Sequence, residues 1–160
     1  MKLIKALMMV IALSMPFAAF AMEGDQQVEY TEALRDGNVK MVKKYIESGT
    51  DVNEKFFAWE ALQIAANKNQ LAVVKYLVEK GADVNYVHPM TKMSAAHMAA
   101  YDGYTEVVKY LASKGADLNL KLRGDVSILR AVRDTGNTKM VDLLISLGVK
   151  DDGCQEEKCF

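Results

Sequence analysis

A short phrase recurs along this chain at nearly even spacing. GADVN at residues 81–85 has close copies in GTDVN at 49–53 and GADLN at 115–119. The glycines that open these copies are followed in step by Gly148, so the period is 32 to 34 residues. Self-similarity at such a period is the signature of repeat architectures, in which each unit stacks on its neighbours. We therefore expect a row of similar units rather than one globular centre.

Within each period the apolar residues follow a helical pattern. In the second unit Val73 and Val74 are followed by Leu77 and Val78, which would lie on one side of a helix. Twelve residues before each phrase glycine stands a residue that tolerates the left-handed backbone ending a helix: Gly37, Asn69, Gly103 and Gly136. Each unit is therefore predicted to be a helix, a tight turn, a second helix and an extended loop. The predicted fold class is all-α, a solenoid of about four helix-turn-helix repeats.

Small residues mark where the predicted helices would approach one another. Alanines stand four residues before the turn residues in the first three units, at Ala33, Ala65 and Ala99. In the fourth unit Ala131 fits this register only if one extra residue precedes Gly136. The sequence therefore predicts an insertion in the fourth turn.

The third unit, SAAHMAAYDGYTEVVKYLASKGADLN at 94–119, resembles the ankyrin repeat. Ser94 stands where that family has Thr, Ala95 where it has Pro, and His97 falls on the family's His, while the second unit has Gln63 in its place. The resemblance covers about 30–153. It implies an ankyrin-repeat domain at 22–153, with repeats at about 28–53, 54–85, 86–119 and 120–150. It also implies hydrogen bonding between His97 and Ser94, and binding of another protein through a concave face of loop tips and first helices.

The N-terminus has the three regions of a secretory signal. Lys2 and Lys5 precede an apolar run at 6–13, and Ala19-Phe20-Ala21 fits the small-x-small cleavage rule. Residues 1–21 are therefore predicted to be a cleaved signal of bacterial style, which places the protein in the periplasm or beyond it. A membrane anchor is the alternative, and Pro16 and the shortness of the run argue against it.

The two cysteines, Cys154 and Cys159, lie in the C-terminal tail at 154–160. In an oxidising compartment they would pair. So short a loop gains on the order of 2 kcal/mol at most, so the bridge would tie down the tail rather than hold the fold. The spacing is not that of a CxxC redox motif, and two thiolates fall short of a zinc ligand set.

Other classes of function find little support. The net charge is −1 with no basic block, which argues against a nucleic-acid partner. No glycine-rich phosphate loop, HExxH or GxSxG motif appears, so no enzyme, cofactor or metal site is predicted. The recurring acids of the GADVN phrase are predicted to cap their loop backbone: Asp51, Asp83 and Asp117.

Candidate binding residues are those that depart from the repeat. The first loop carries Phe56, Phe57 and Trp59 where the family has charged or small residues, and such aromatics are favoured interface anchors. The alternative is that some of them fold back over the first repeat. The remaining candidates lie in the second loop, which would expose His88, in the third loop, and along the first helices: Tyr86, His88, Met90, Arg123, Tyr101, Asp102, Tyr104 and Arg133.

The sequence thus predicts a non-enzymatic binding protein, a monomer or part of a heterocomplex. Among exported ankyrin proteins, the resemblance favours an accessory or stress-related factor for a partner enzyme. An immunity protein that neutralises a secreted antibacterial toxin such as a phospholipase is the alternative.

Overall fold

The computed structural model describes residues 24–151. Within that range the chain forms four helix-turn-helix pairs and one short hairpin, which confirms the predicted all-α repeat solenoid. The helices are α1 Gly24–Asp36, α2 Val39–Glu47, α3 Ala61–Asn67, α4 Leu71–Glu79, α5 Ala95–Tyr101, α6 Thr105–Ser113, α7 Ile128–Asp134 and α8 Thr138–Ser146, and the strands are β1 Lys55–Phe56 and β2 Trp59–Glu60.

The helices pack as two rows. The first helix of each pair contacts its counterpart in the next pair, so α1, α3, α5 and α7 form an inner row. The second helices follow alongside as the outer row, in which α2 contacts α4 and α4 contacts α6. Alanines fill much of the inner row, where Ala65 and Ala99 are fully buried and allow close approach. The buried residues of both rows form one continuous core.

The turns between paired helices end as predicted. Gly37, Asn69, Gly103 and Gly136 all have positive φ, at 78°, 58°, 82° and 76°. In the first three pairs, the N–H following this residue donates back to the alanine of the preceding helix, as from Asn38 to Ala33 at 2.9 Å. Left-handed backbone at this point lets the second helix start at once on the opposite course.

The fourth turn contains no insertion. Helices α5 and α7 both have seven residues, and Gly103 and Gly136 each follow two residues after the helix ends. Val132, not Ala131, therefore occupies the position of Ala99, and its side chain is fully buried. The sequence prediction was wrong because it matched residue size and ignored helix length.

The first helix begins earlier than the predicted start near residue 28. Helix α1 has 13 residues and starts at Gly24. Asp25 lies in its first turn, where a carboxylate interacts favourably with the helix dipole. The predicted signal peptide at 1–21 and the cysteines Cys154 and Cys159 lie outside the described residues. In the part of the chain that the structure covers, every helix is too short or too polar to cross a membrane.

The loop acids have the predicted capping role. The carboxylates of Asp51, Asp83 and Asp117 each accept the N–H two residues on, at 2.9, 2.8 and 2.8 Å. The donors are the asparagines that close the repeated phrase: Asn53, Asn85 and Asn119. Each loop is thereby held in a tight turn at the end of its repeat.

Those asparagines also join successive repeats, a role that the sequence did not reveal. The side-chain oxygen of Asn53 accepts the N–H of Asp83 at 2.9 Å, and that of Asn85 accepts the N–H of Asp117 at 2.8 Å. Asn119 accepts the N–H of Lys150 at 2.9 Å in the same way. We call this series of contacts the asparagine ladder. It explains why the phrase ends in Asn in all three copies.

Candidate protein-binding surface

His97 forms hydrogen bonds that join the start of α5 to the loop that ends the third repeat. Its Nδ1 accepts the backbone N–H of Ser94 at 3.2 Å, while the Ser94 hydroxyl accepts the backbone N–H of His97 at 3.4 Å. Because Nδ1 is an acceptor, Nε2 carries the proton and donates to the carbonyl of Leu118 at 3.4 Å. Burial lowers the pKa of His97, which keeps the ring neutral. These contacts confirm the expected hydrogen bonding between His97 and Ser94.

Gln63 takes the position of His97 in the second repeat and makes one equivalent contact and one different one. Its side-chain oxygen accepts the N–H of Glu60 at 3.2 Å, and its amide donates to the carbonyl of Met93 at 2.9 Å. A glutamine carries an acceptor and a donor at about the reach of an imidazole, so it can replace the histidine at this position. The second repeat therefore keeps the contact to the backbone N–H at the start of its helix, while its second contact goes to Met93, which is not the counterpart of Leu118.

Glu60 takes the position that Ser94 has in the third repeat, and its burial could not be predicted from the sequence. It is only 3% exposed. Its Oε1 lies 3.9 Å from Nζ of Lys55, and Oε2 has no hydrogen-bond partner among residues 24–151. Burial raises the pKa of Glu60 to about 7, with Lys55 opposing the rise. A repeat-by-repeat alignment could have found the substitution, but not the burial.

The first loop forms a hairpin that separates its aromatic side chains. Strands β1 and β2 pair antiparallel, with Phe56 opposite Trp59 and Lys55 opposite Glu60. The two residues between the strands, Phe57 and Ala58, have φ of 52° and 69°. Positive φ at both central residues is what a type I′ hairpin turn requires, although glycine or asparagine usually supplies it.

Phe56 and Phe57 are neighbours but differ in exposure, because Phe56 is the last residue of β1 and Phe57 is the first residue of the turn. Phe57 is 96% exposed at the apex of the turn. Phe56 is only 6% exposed and packs on Tyr30 of α1, with 5.6 Å between ring centroids. Phe56 is therefore buried and not exposed to a partner. Its position matches the alternative prediction, in which an aromatic side chain folds back over the first repeat.

His88 is also inside, so its expected exposure was wrong. Its ring stacks on Trp59 at 4.2 Å between centroids, and the residue is 5% exposed. Nδ1 of His88 accepts the N–H groups of Met90 and Thr91 at 3.3 and 3.4 Å. His88 thus shapes its own loop and supports the hairpin, while Trp59 is half-buried between His88 and solvent.

The rest of the second loop continues this surface. The hydroxyl of Tyr86 donates to the carbonyl of Ala58 at 3.0 Å, so the half-buried Tyr86 braces the hairpin turn. Met90 is 69% exposed. Arg123 is exposed beside it, and its backbone N–H donates to the carbonyl of Thr91 at 3.1 Å, which joins the third loop to the second.

Along the inner helices, Tyr101 is 48% exposed. Its neighbour Asp102 accepts a hydrogen bond from the side chain of Asn67 at 2.9 Å, which links the exposed faces of α5 and α3. Tyr104 is half-buried against the core at the start of α6. Arg133 is exposed at the far end of the row and pairs with Asp151 at 2.9 Å.

We call the inner helices with the loop tips the inner face. Of the predicted contacts, the structure exposes six there, half-buries three and buries two. The exposed residues are Phe57, Met90, Tyr101, Asp102, Arg123 and Arg133. Between residues 24 and 151, no cluster of three or more His, Cys, Asp or Glu could hold a metal ion.

The chain belongs to the ankyrin-repeat family. A family profile described as ankyrin repeats (3 copies) matches residues 31–122. Ankyrin repeats are a protein-interaction module, which is the class that the helix pairs and the exposed inner face define.

Among curated relatives, an ankyrin repeat protein of Rickettsia felis is 23% identical over 79% of this chain and 44% of its own length. Ankyrin repeat domain-containing protein 40 of Mus musculus is 37% identical over 41% of this chain and 19% of its own length. Ankyrin repeat, SAM and basic leucine zipper domain-containing protein 1 of Ovis aries is 29% identical over 39% of this chain and 13% of its own length. The chain thus spans less than half of each of these relatives.

Proposed function

We propose that this chain is a non-enzymatic module that recognises another protein through its inner face, with Phe57 as the central anchor. One observation carries the proposal: a phenylalanine stands 96% exposed on a turn made of two left-handed residues, neither of them glycine. Such a conformation costs roughly 1 kcal/mol or more per residue, and strain of this kind is typical of functional sites.

The hairpin that carries Phe57 packs against residues of neighbouring segments. Phe56 packs on Tyr30, Trp59 stacks on His88, and the Tyr86 hydroxyl holds the carbonyl of Ala58. A side chain presented by a rigid turn loses little freedom on binding, so more of its buried area contributes to affinity. A fully buried phenylalanine removes roughly 150–250 Å² from water.

The other exposed residues of the inner face suit a protein partner. Met90 and Tyr101 add apolar and aromatic surface, while Asp102, Arg123 and Arg133 add charges of both signs. Aromatic, Met and Arg side chains are enriched in protein interfaces. This mixture favours a folded protein over a small ligand or a uniformly charged polymer.

The cellular setting of the proposal rests on the sequence of residues 1–21. Their signal-peptide pattern supports a periplasmic or exported protein, and we propose an accessory or stress-related role there. An immunity protein against a secreted toxin is the alternative, because the same export signal and rigid surface would serve it. A toxin gene beside this gene would favour immunity, and a gene for an oxidative-stress enzyme would favour the accessory role.

The test is a pull-down from periplasmic extract of the source organism with three baits: wild type, Phe57→Ala and Ile145→Ala. Ile145 is an exposed apolar residue of α8, so its variant matches the loss of surface apolar area away from the inner face. We expect a protein retained by wild type and Ile145→Ala to be lost with Phe57→Ala. Retention by all three baits, with unchanged helicity, would remove Phe57 from the site.

A further inference from the structure

The outer row of helices carries a second, chemically different surface. Eight exposed lysines lie on α2, α4, α6 and α8 or directly at their ends, against four carboxylates. The outer row therefore has a charge of +4, whereas the rest of residues 24–151 holds 9 basic and 13 acidic residues, or −4. The lysines are Lys40, Lys43, Lys44, Lys75, Lys80, Lys109, Lys114 and Lys139, and the carboxylates are Glu47, Glu79, Glu106 and Asp142.

Most of these ammonium groups have no carboxylate partner. Lys109 pairs with Glu106 at 3.1 Å, and across residues 24–151 the other seven lysines form no ion pair. Because no carboxylate within that range neutralises these seven lysines, their positive charge is available to a binding partner. We call this set the lysine face.

Tyrosine rings position four of the lysines in a regular way. Lys43 of the first repeat and Lys80 of the second lie over the ring of Tyr76, at 5.4 and 5.5 Å from its centroid. Lys75 of the second repeat and Lys114 of the third lie over Tyr110 at 5.7 and 5.6 Å. The same arrangement therefore repeats along the row. A cation over a ring is attracted by its π electrons, which holds the lysine stems along the helices.

The composition of the lysine face distinguishes it from the inner face. It has no arginine and no exposed aromatic residue among the described positions, whereas protein interfaces favour Arg, Tyr and Trp and are poor in Lys. Lysine clusters near a membrane are attracted to anionic lipid headgroups, by about 1 kcal/mol for each charge. Four helices spaced by about 10 Å spread this charge over roughly 30 Å, which suits an extended surface.

We propose that the lysine face docks reversibly on the surface of a bilayer rich in anionic phospholipid. The ammonium groups contact headgroup phosphates, and Ile145 and Leu147 at the α8 end of the row add exposed apolar area. The inner face lies on the other row of helices, so it stays available to a protein partner. The contact is electrostatic and therefore weakens as salt screens it.

The first test is co-sedimentation of the full chain with lipid vesicles. We expect at least about tenfold stronger binding to vesicles with roughly 30% phosphatidylglycerol than to phosphatidylcholine alone, at about 50 mM salt. At about 500 mM salt the preference should disappear. Equal binding to both kinds of vesicle at low salt would overturn the proposal.

Charge reversal on the lysine face identifies the surface responsible. Lys43, Lys75 and Lys109 hold the same position on α2, α4 and α6, so replacing all three by Glu should abolish the preference for anionic vesicles. The control carries the same charge change elsewhere, as Lys68→Glu, Lys121→Glu and Lys150→Glu, and should keep the preference. An equal loss of the preference for anionic vesicles in both variants would contradict the proposal. So would an unchanged preference in both, because the lysines within residues 1–21 would then account for the binding.

Two further measurements keep the result interpretable. The double variant Lys40→Glu with Lys139→Glu changes two lysines that lie over no tyrosine ring, so it leaves the packing of the rings intact. It should weaken vesicle binding in part even if the triple variant folds poorly. Beads coated with polyglutamate test an acidic polypeptide as occupant. Retention on those beads without binding to anionic vesicles would assign the lysine face to an acidic protein and overturn the lipid proposal.

Discussion

Replacing Glu60 by glutamine should stabilise the protein above neutral pH and leave it unchanged in acid. In the folded protein, burial raises the pKa of Glu60 from 4.5 to about 7. The unfolded chain releases this proton near pH 4.5, whereas the folded protein keeps it until about pH 7. The free energy of unfolding must therefore fall as pH rises through this window.

The size of the effect follows from the shift. Each pKa unit corresponds to about 1.36 kcal/mol, so about 3 kcal/mol of stability would be lost between acid and pH 8. Glutamine has no proton to lose and keeps the shape of the side chain. Glu60→Gln should therefore match the wild type near pH 4 and exceed it by about 3 kcal/mol at pH 8.

Urea unfolding followed by circular dichroism at a series of pH values measures this difference. Trp59 is the sole tryptophan of the chain and lies beside Glu60 in the hairpin, so its fluorescence reports on the same region. Glu79→Gln serves as the control, because Glu79 is exposed on α4. Parallel stability curves for wild type and Glu60→Gln would refute the reasoning, since Glu60 would then titrate alike in the folded and unfolded chain.

Two further substitutions test the links within and between repeats. His97→Gln should preserve most of the stability at pH 7, because the side-chain oxygen of Gln63 accepts the corresponding backbone N–H one repeat earlier. Burial lowers the pKa of His97, so the wild type loses stability as pH falls below about 6.5. Urea unfolding should show a smaller fall in the variant. Asn85→Ala removes two hydrogen bonds, one to the N–H of Asp117 and one to the carbonyl of Gly115. The free energy of unfolding in the same assay should fall by about 1–3 kcal/mol. An unchanged urea midpoint would show that solvent replaces both bonds.

The helix pairs could be predicted from sequence because one pattern is written four times. A single helical stripe is ambiguous, but Gly37, Asn69 and Gly103 mark the same turn in successive copies, so each copy supports the others. The fourth turn was mispredicted because Ala131 resembled Ala99 in size, whereas the seven-residue length of the helix decides which residue is buried.

The binding surface was less predictable because its residues do not repeat. Which of Phe56 and Phe57 faces solvent depends on where a two-residue turn falls, and that turn lacks the glycine or asparagine that usually marks it. His88 has the polarity and position of an exposed loop residue. Its burial follows from the stacking of Trp59, a contact between two different loops that local sequence does not encode.

The asparagine ladder also determines where this array would begin to fray. Opening the stack in the middle breaks a rung and uncovers apolar helix faces on both fragments, whereas peeling away a terminal repeat costs fewer contacts. The amide of Asp117 lies on the middle rung, whereas those of Asp83 and Lys150 lie on the first and last rungs. Hydrogen exchange should then be slower at the amide of Asp117 than at those of Asp83 and Lys150, since local opening of the solenoid proceeds inward from its ends.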